Sequence, residues 1–117
     1  TVAPTTTVAP TTTVAPTTTV SESAGERNAR ESAASYLEYS AFSRSGLVEQ
    51  LEYEGFTTAQ AEYGTDAQNA DWNEQAALSA ASYLEYSAFS RSGLVEQLEY
   101  EGFTTAQAEY GATAVGL

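Results

Sequence analysis

From Ser23 onward, apolar and small residues recur three and four positions apart, the spacing that gathers side chains on one face of an α-helix. Ala29, Ala33, Tyr36, Leu37 and Ser40 form such a stripe, which runs as far as Phe42. Ser23 and Glu26 stand ahead of it at capping-box spacing and mark its start. Ser43 is placed to cap a second helix, whose Leu47, Val48 and Leu51 point inward and which ends at Gly55, a residue suited to a left-handed C-cap. Thr57 and Gln60 make another capping-box pair and open a third helix. Phe56 lies just ahead of that helix, and Ala61 and Gly64 within it are small enough for close packing. The pattern predicts three short helices joined by two turns.

The same pattern then returns. Ser32 to Gly64 is repeated letter for letter as Ser79 to Gly111. In the second copy Asp71 and Glu74 supply the cap, Ala76, Ala80, Tyr83, Leu84 and Phe89 the stripe, and Leu94, Leu98, Phe103 and Ala108 the remaining inward positions. The fold class is therefore all-α, with two tandem three-helix modules of helix-turn-helix type over residues 23–69 and 70–117. Units of this size sit near the lower limit for a self-sufficient core, so the modules are expected to lean on each other. Trp72, the one tryptophan, answers to Gly25 in the first copy. It is accordingly assigned to packing between modules and not to the repeated core.

Residues 1–22 read differently. TVAPTT occurs three times in succession with Pro4, Pro10 and Pro16 in register, and no charge or aromatic falls among the first 20 residues. Proline fixes φ and lacks a donor, and the threonines and valines have nothing to pack against, so a disordered, extended stalk is expected. At about 3.1 Å per residue it could reach about 60 Å. Thr-rich, Pro-spaced sequence is also an O-glycosylation substrate of the kind found in surface stalks.

Charge narrows the chemistry. Sixteen acidic residues against four arginines give the 117-residue chain a net charge of −12. A helix-turn-helix unit invites a nucleic-acid reading, but each repeated segment sets five glutamates against one arginine. Phosphate would be repelled, so no nucleic-acid partner is expected. Cysteine, histidine, lysine and methionine are absent. Carboxylates are the remaining catalytic candidates, and an enzyme built on a pair of them would need a concave site lined by two glutamates. Asp66, Asn69, Asp71 and Asn73 bear oxygens in a short connector, but without the central glycine and twelfth-position Glu of a calcium loop. No metal, cofactor or catalytic residue is assigned.

What remains is surface suited to contact. Tyrosine is enriched at interfaces. Tyr36 and Tyr83 lie on the inward stripe, whereas Tyr39, Tyr53, Tyr86 and Tyr100 stand beside glutamates and suit either core or partner contact. The candidate partner-binding set is therefore Glu38, Tyr39, Glu49, Glu52, Tyr53, Glu54 and Glu62, with the copies Glu85, Tyr86, Glu96, Glu99, Tyr100, Glu101 and Glu109.

The run SYLEYSAFSRSGLVEQLEYEGFTTAQAEYG, a connector reading ADWNEQA and the run again resemble the host cell surface-exposed lipoproteins, Ltp-like superinfection-exclusion proteins of which many are carried by prophages. The matching residues are Ala33, Tyr36, Leu37, Phe42, Ser43, Gly46, Leu47, Gln50, Leu51, Gly55, Phe56, Thr57, Ala61 and Tyr63. Asp71, Trp72 and Asn73 follow, and the second copy begins at Ala80, Tyr83 and Leu84. The resemblance implies display at the outer face of the bacterial cytoplasmic membrane, on an anchor upstream of this chain, and a block on DNA injection by an incoming phage. It also implies a phage protein as partner. The acidic modules suit a basic segment of one, such as the tape measure protein. The chain itself is expected to be monomeric, and the alternative role is a general cell-surface display or adhesion domain with an unrelated ligand.

Overall fold

The computed structural model describes residues 21–117. The stalk assigned to 1–22 lies outside them, apart from Ser21 and Glu22. Among the described residues six helices follow one another, and no strand interrupts them: α1 (Ala24–Tyr39), α2 (Arg44–Tyr53), α3 (Thr58–Asp66), α4 (Trp72–Tyr86), α5 (Arg91–Tyr100) and α6 (Thr105–Ala114). The all-helical pair of three-helix modules is thus what the chain forms.

Helices of nine to sixteen residues are marginal alone, so caps and packing must hold them. Ser23 Oγ accepts from the Glu26 amide at 3.0 Å while Glu26 accepts in return from the Ser23 amide at 2.9 Å. Thr57 with Gln60 and Thr104 with Gln107 make the same reciprocal box. Each such cap contributes about 1 kcal/mol. Asp71 caps α4 by accepting from the Glu74 amide, without the reciprocal bond. Gly55 and Gly102 follow α2 and α5 at φ near +107° and +106°, the left-handed conformation that only glycine adopts freely. Ser40 departs from the inward stripe expected of it. It is the exposed C-cap of α1 in extended backbone, and the chain turns there before Phe42 comes back against the core.

Each module closes around a small core. Ala33, Leu47, Val48, Leu51 and Ala61 are buried in the first, with Tyr36, Leu37, Phe42 and Phe56 packed around them. The second has Ala76, Ala80, Leu94, Leu98, Phe103, Ala108 and Ala112. A fully buried leucine contributes roughly 2 kcal/mol, so few large side chains carry each module. Backbone-to-backbone approach makes up part of the difference. A Cβ on Gly64 would stand 2.6 Å from the Ala29 carbonyl carbon, and one on Gly111 would stand 2.8 Å from the Ala76 carbonyl oxygen. Glycine at these positions lets α3 lie directly on α1, and α6 on α4. Thr65, just past Gly64, is fully buried, and its hydroxyl has no hydrogen-bond partner among the described residues.

Ion pairs brace the first module. Glu22, placed in the stalk by sequence, is bound into it: its carboxylate takes two hydrogen bonds from Arg30, at 2.7 and 2.9 Å, and a third from Tyr63 OH at 2.7 Å. Arg44 binds Asp66 in the same two-pronged way, at 2.7 and 2.8 Å. Among the described residues the copy of Arg44 forms no ion pair with a carboxylate. Arg91 donates instead to Thr113 Oγ1 at 3.1 Å.

Candidate functional site

The site is built where the modules meet. Trp72, the first residue of α4, packs against the core of the first module. One turn on, Gln75 Oε1 accepts from the Phe42 amide at 3.0 Å. The N-terminal edge of α2 faces the tip that closes α5: Ser43 Oγ donates to the Glu101 carbonyl at 2.6 Å, and Ser45 Oγ to the Gly102 carbonyl at 3.0 Å. These contacts set α4 beside the end of α1 and leave a cleft of about 520 Å³ between them. Leu37, Glu38, Tyr39, Ser40 and Ala41 form one wall. Leu78, Ser82 and Tyr86, four residues apart on one face of α4, form the other, with Ser79, Tyr83 and Glu101 deeper between them.

Glu101 is held at that depth by its own module. One carboxylate oxygen accepts from Ser79 Oγ at 2.9 Å and the other from Tyr83 OH, which in turn accepts from Gln97 Nε2 at 3.1 Å. Burial pushes its carboxyl above the usual carboxylate range, and the bond from Ser79 offsets part of that shift. The cleft does contain two glutamates, the condition set above for an enzyme. Each Glu101 oxygen accepts a hydrogen bond from a hydroxyl of the module itself, which fixes the carboxylate in place against Ser79 and Tyr83. Among the described residues no cluster of three or more candidate ligands could hold a metal.

Of the residues singled out by sequence, the cleft gathers Glu38, Tyr39, Tyr86 and Glu101. Tyr39 and Tyr86 are 90% and 87% exposed, so two nearly free aromatic rings belong to one concavity. Tyr53 and Tyr100 are equally exposed, but outside it, at the ends of α2 and α5, and all four tyrosines are out of the core. Glu52 and Glu99 are partly engaged, accepting from Thr58 and Thr105 hydroxyls. Glu49, Glu54, Glu62, Glu85, Glu96 and Glu109 are exposed, and none of them lines the cleft. Glu101 is half-buried at the joint, although its copy Glu54 is exposed. Sequence reasoning missed Leu78, Ser79 and Ser82. A signal for Leu78 existed, since with Trp72 and Gln75 it forms a three-residue spacing that the first copy fills with Gly25, Asn28 and Glu31.

No helix among the described residues is long and apolar enough to cross a membrane. Among curated proteins nothing matches the chain. Among solved structures it is similar to Ltp, a superinfection exclusion protein from the Streptococcus thermophilus temperate phage TP-J34, with 24% sequence identity and a TM-score of 0.72. That likeness covers 78% of this chain and 95% of the other, and it speaks for a shared fold. Residues 25–67 and 71–115, one stretch in each module, match the model of the host cell surface-exposed lipoproteins. With most of its length in those two matches, the chain belongs to the family of host cell surface-exposed lipoproteins.

Proposed function

We propose that this chain protects a bacterial cell against a second phage by binding a phage protein at the cell surface and so preventing entry of the incoming DNA. The observation that carries this reading is the family match in both modules, joined to a fold shared with a superinfection exclusion protein along nearly all of that protein's length. The Thr/Pro-rich segment serves as the stalk that holds the modules away from a membrane anchor. The partner is a basic segment of a phage protein, the tape measure protein being the candidate. A net charge of −12 attracts such a segment at long range. At short range the cleft offers Tyr39 and Tyr86 as aromatic anchors beside Glu38. The carboxylates outside the cleft steer the partner and make few specific contacts.

Infection of cells displaying the protein tests the role. Phage adsorption should stay normal while DNA entry falls; a loss of adsorption, or normal DNA entry, would refute it. For the partner, titration of tape measure segments against the chain should show binding that weakens with salt. The Tyr39→Ala/Tyr86→Ala pair should reduce affinity about tenfold or more, the usual cost of losing aromatic anchors. Salt-insensitive binding, or an unaffected double variant, would remove the cleft from the account.

A further inference from the structure

The joint between the modules consists of two unlike surfaces. One is the edge at the start of α2, Ser43, Ser45 and Gly46; the other is the tip after α5, Glu101 and Gly102. The fit is close, since a Cβ on Gly102 would run into Ser45 Oγ and stand 2.7 Å from Ser43 Oγ. Because the repeat is exact, each module carries both surfaces, yet the joint uses the edge of the first and the tip of the second. The tip of the first module is open: Glu54 and Gly55 are exposed, and a Cβ on Gly55 would meet nothing within 4 Å. The edge of the second is open as well. Ser90 and Ser92 are exposed, and Ser90 Oγ, besides capping the Gly93 amide, reaches only Ser92 Oγ at 3.4 Å among the described residues.

Two matching halves of one joint therefore stand unoccupied at different places on the chain. Surfaces that complement each other but differ in identity make heterologous contacts, which add copies head to tail. We propose that a second copy of this chain fills them, the Glu54–Gly55 tip of one copy seating on the Ser90–Ser92 edge of the next. The new contact continues the joint already formed inside the chain and repeats its hydroxyl-to-carbonyl bonds with identical residues.

The contact between copies is weaker than the one within. The internal joint also has Trp72 on the first core, Gln75 on the Phe42 amide and Leu78 on the cleft wall. At the corresponding positions of α1 stand Gly25, Asn28 and Glu31, which lie just outside the identical stretch. A large aromatic is lost, an amide is shortened and a carboxylate replaces a leucine. Chains of net charge −12 repel each other besides, most strongly at low salt. Dilute chains are monomeric, and copies associate where tethering on a surface raises their effective concentration.

The chain has no cysteine, so site-specific coupling is clean. Glu54→Cys and Ser92→Cys chains, mixed in equal amounts and treated with a short bismaleimide, should give the 54-to-92 product about tenfold over either like-to-like product, which beyond the roughly twofold excess of random collision corresponds to about 1 kcal/mol of preference. Products in the statistical ratio of random collisions would overturn the proposal. Sedimentation equilibrium supplies a readout without cysteines. The Asn28→Gln/Glu31→Leu variant, which brings α1 toward α4 at the joint face, should associate at lower concentration than the unaltered chain. Equal masses for the two at every concentration, at moderate salt, would likewise overturn it.

Discussion

Ser43 and Ser90 occupy the same place in two identical stretches, yet the first is buried against Glu101 and the second is exposed. Glu54 and Glu101 differ the other way, the second being half-buried and bound by Ser79 and Tyr83. The first module keeps carboxylates ionised beside arginines, in Glu22–Arg30 and Asp66–Arg44, while the second pushes one carboxyl up by burial. Residue type and local sequence are equal in the two copies. What separates them is the neighbour each surface meets, and that is set by a few residues outside the repeat.

The harshest way to break the symmetry is to fill a glycine. Gly64→Ala forces a Cβ to within 2.6 Å of the Ala29 backbone and should cost about 3 kcal/mol or more, since backbone cannot yield as a side chain can. In a core this small the first module should melt while amides of α4–α6 keep protection in hydrogen exchange; Gly111→Ala should do the reverse. Next comes the joint. Trp72→Ala should cost about 2 kcal/mol, less than a fully buried tryptophan because Trp72 is half-exposed, and should split one calorimetric transition into two. A single unshifted transition would mean the modules do not depend on that contact.

A finer test uses the serine pair. Ser90→Ala removes only a helix cap, about 1 kcal/mol, whereas Ser43→Ala also removes the bond to the Glu101 carbonyl and should cost about 1 kcal/mol more in urea unfolding. Equal losses would show that the joint adds nothing at this residue. The smallest effect is on acid response. Arg30, and after it the Tyr63 hydroxyl, hold Glu22 well below its ordinary value of 4.5, at about 2. Its stabilisation is complete above 4.5 and is lost as pH falls through about 2. Glu101, being raised, contributes in the opposite sense, with stabilisation present below its ordinary value and lost as pH climbs through the folded one. Acidification should thus weaken α1–α3 before α4–α6, and Glu22→Gln should flatten that difference.

Local features were readable from sequence because their causes are local. Ser23 with Glu26, Thr57 with Gln60, and Gly55 form caps from residues three apart or fewer, and all three behave as their spacing says. Ser40 misled because helical spacing continues through it although the helix does not. The cleft was illegible for a different reason. Glu54 and Glu101 have the same neighbours in sequence over many residues, so nothing nearby distinguishes the free carboxylate from the engaged one. The distinction enters through Trp72, Gln75 and Leu78, whose meaning appears only once α4 is laid against the first module.

The α1–α3 and α4–α6 pairs carry a consequence for how the chain reaches this state. Over Thr58–Gly64 and Thr105–Gly111 the two partner helices are the same, so during folding α6 is a competent decoy for α1, as α3 is for α4. What sorts them is the last turn. Thr65 is fully buried in α3 where α6 has the smaller Ala112, and Val115 packs into the second core where the first module has the polar Gln68. A chain made of near-perfect copies thus assigns its proofreading against helix exchange to the ends of α3 and α6, where the duplication stops.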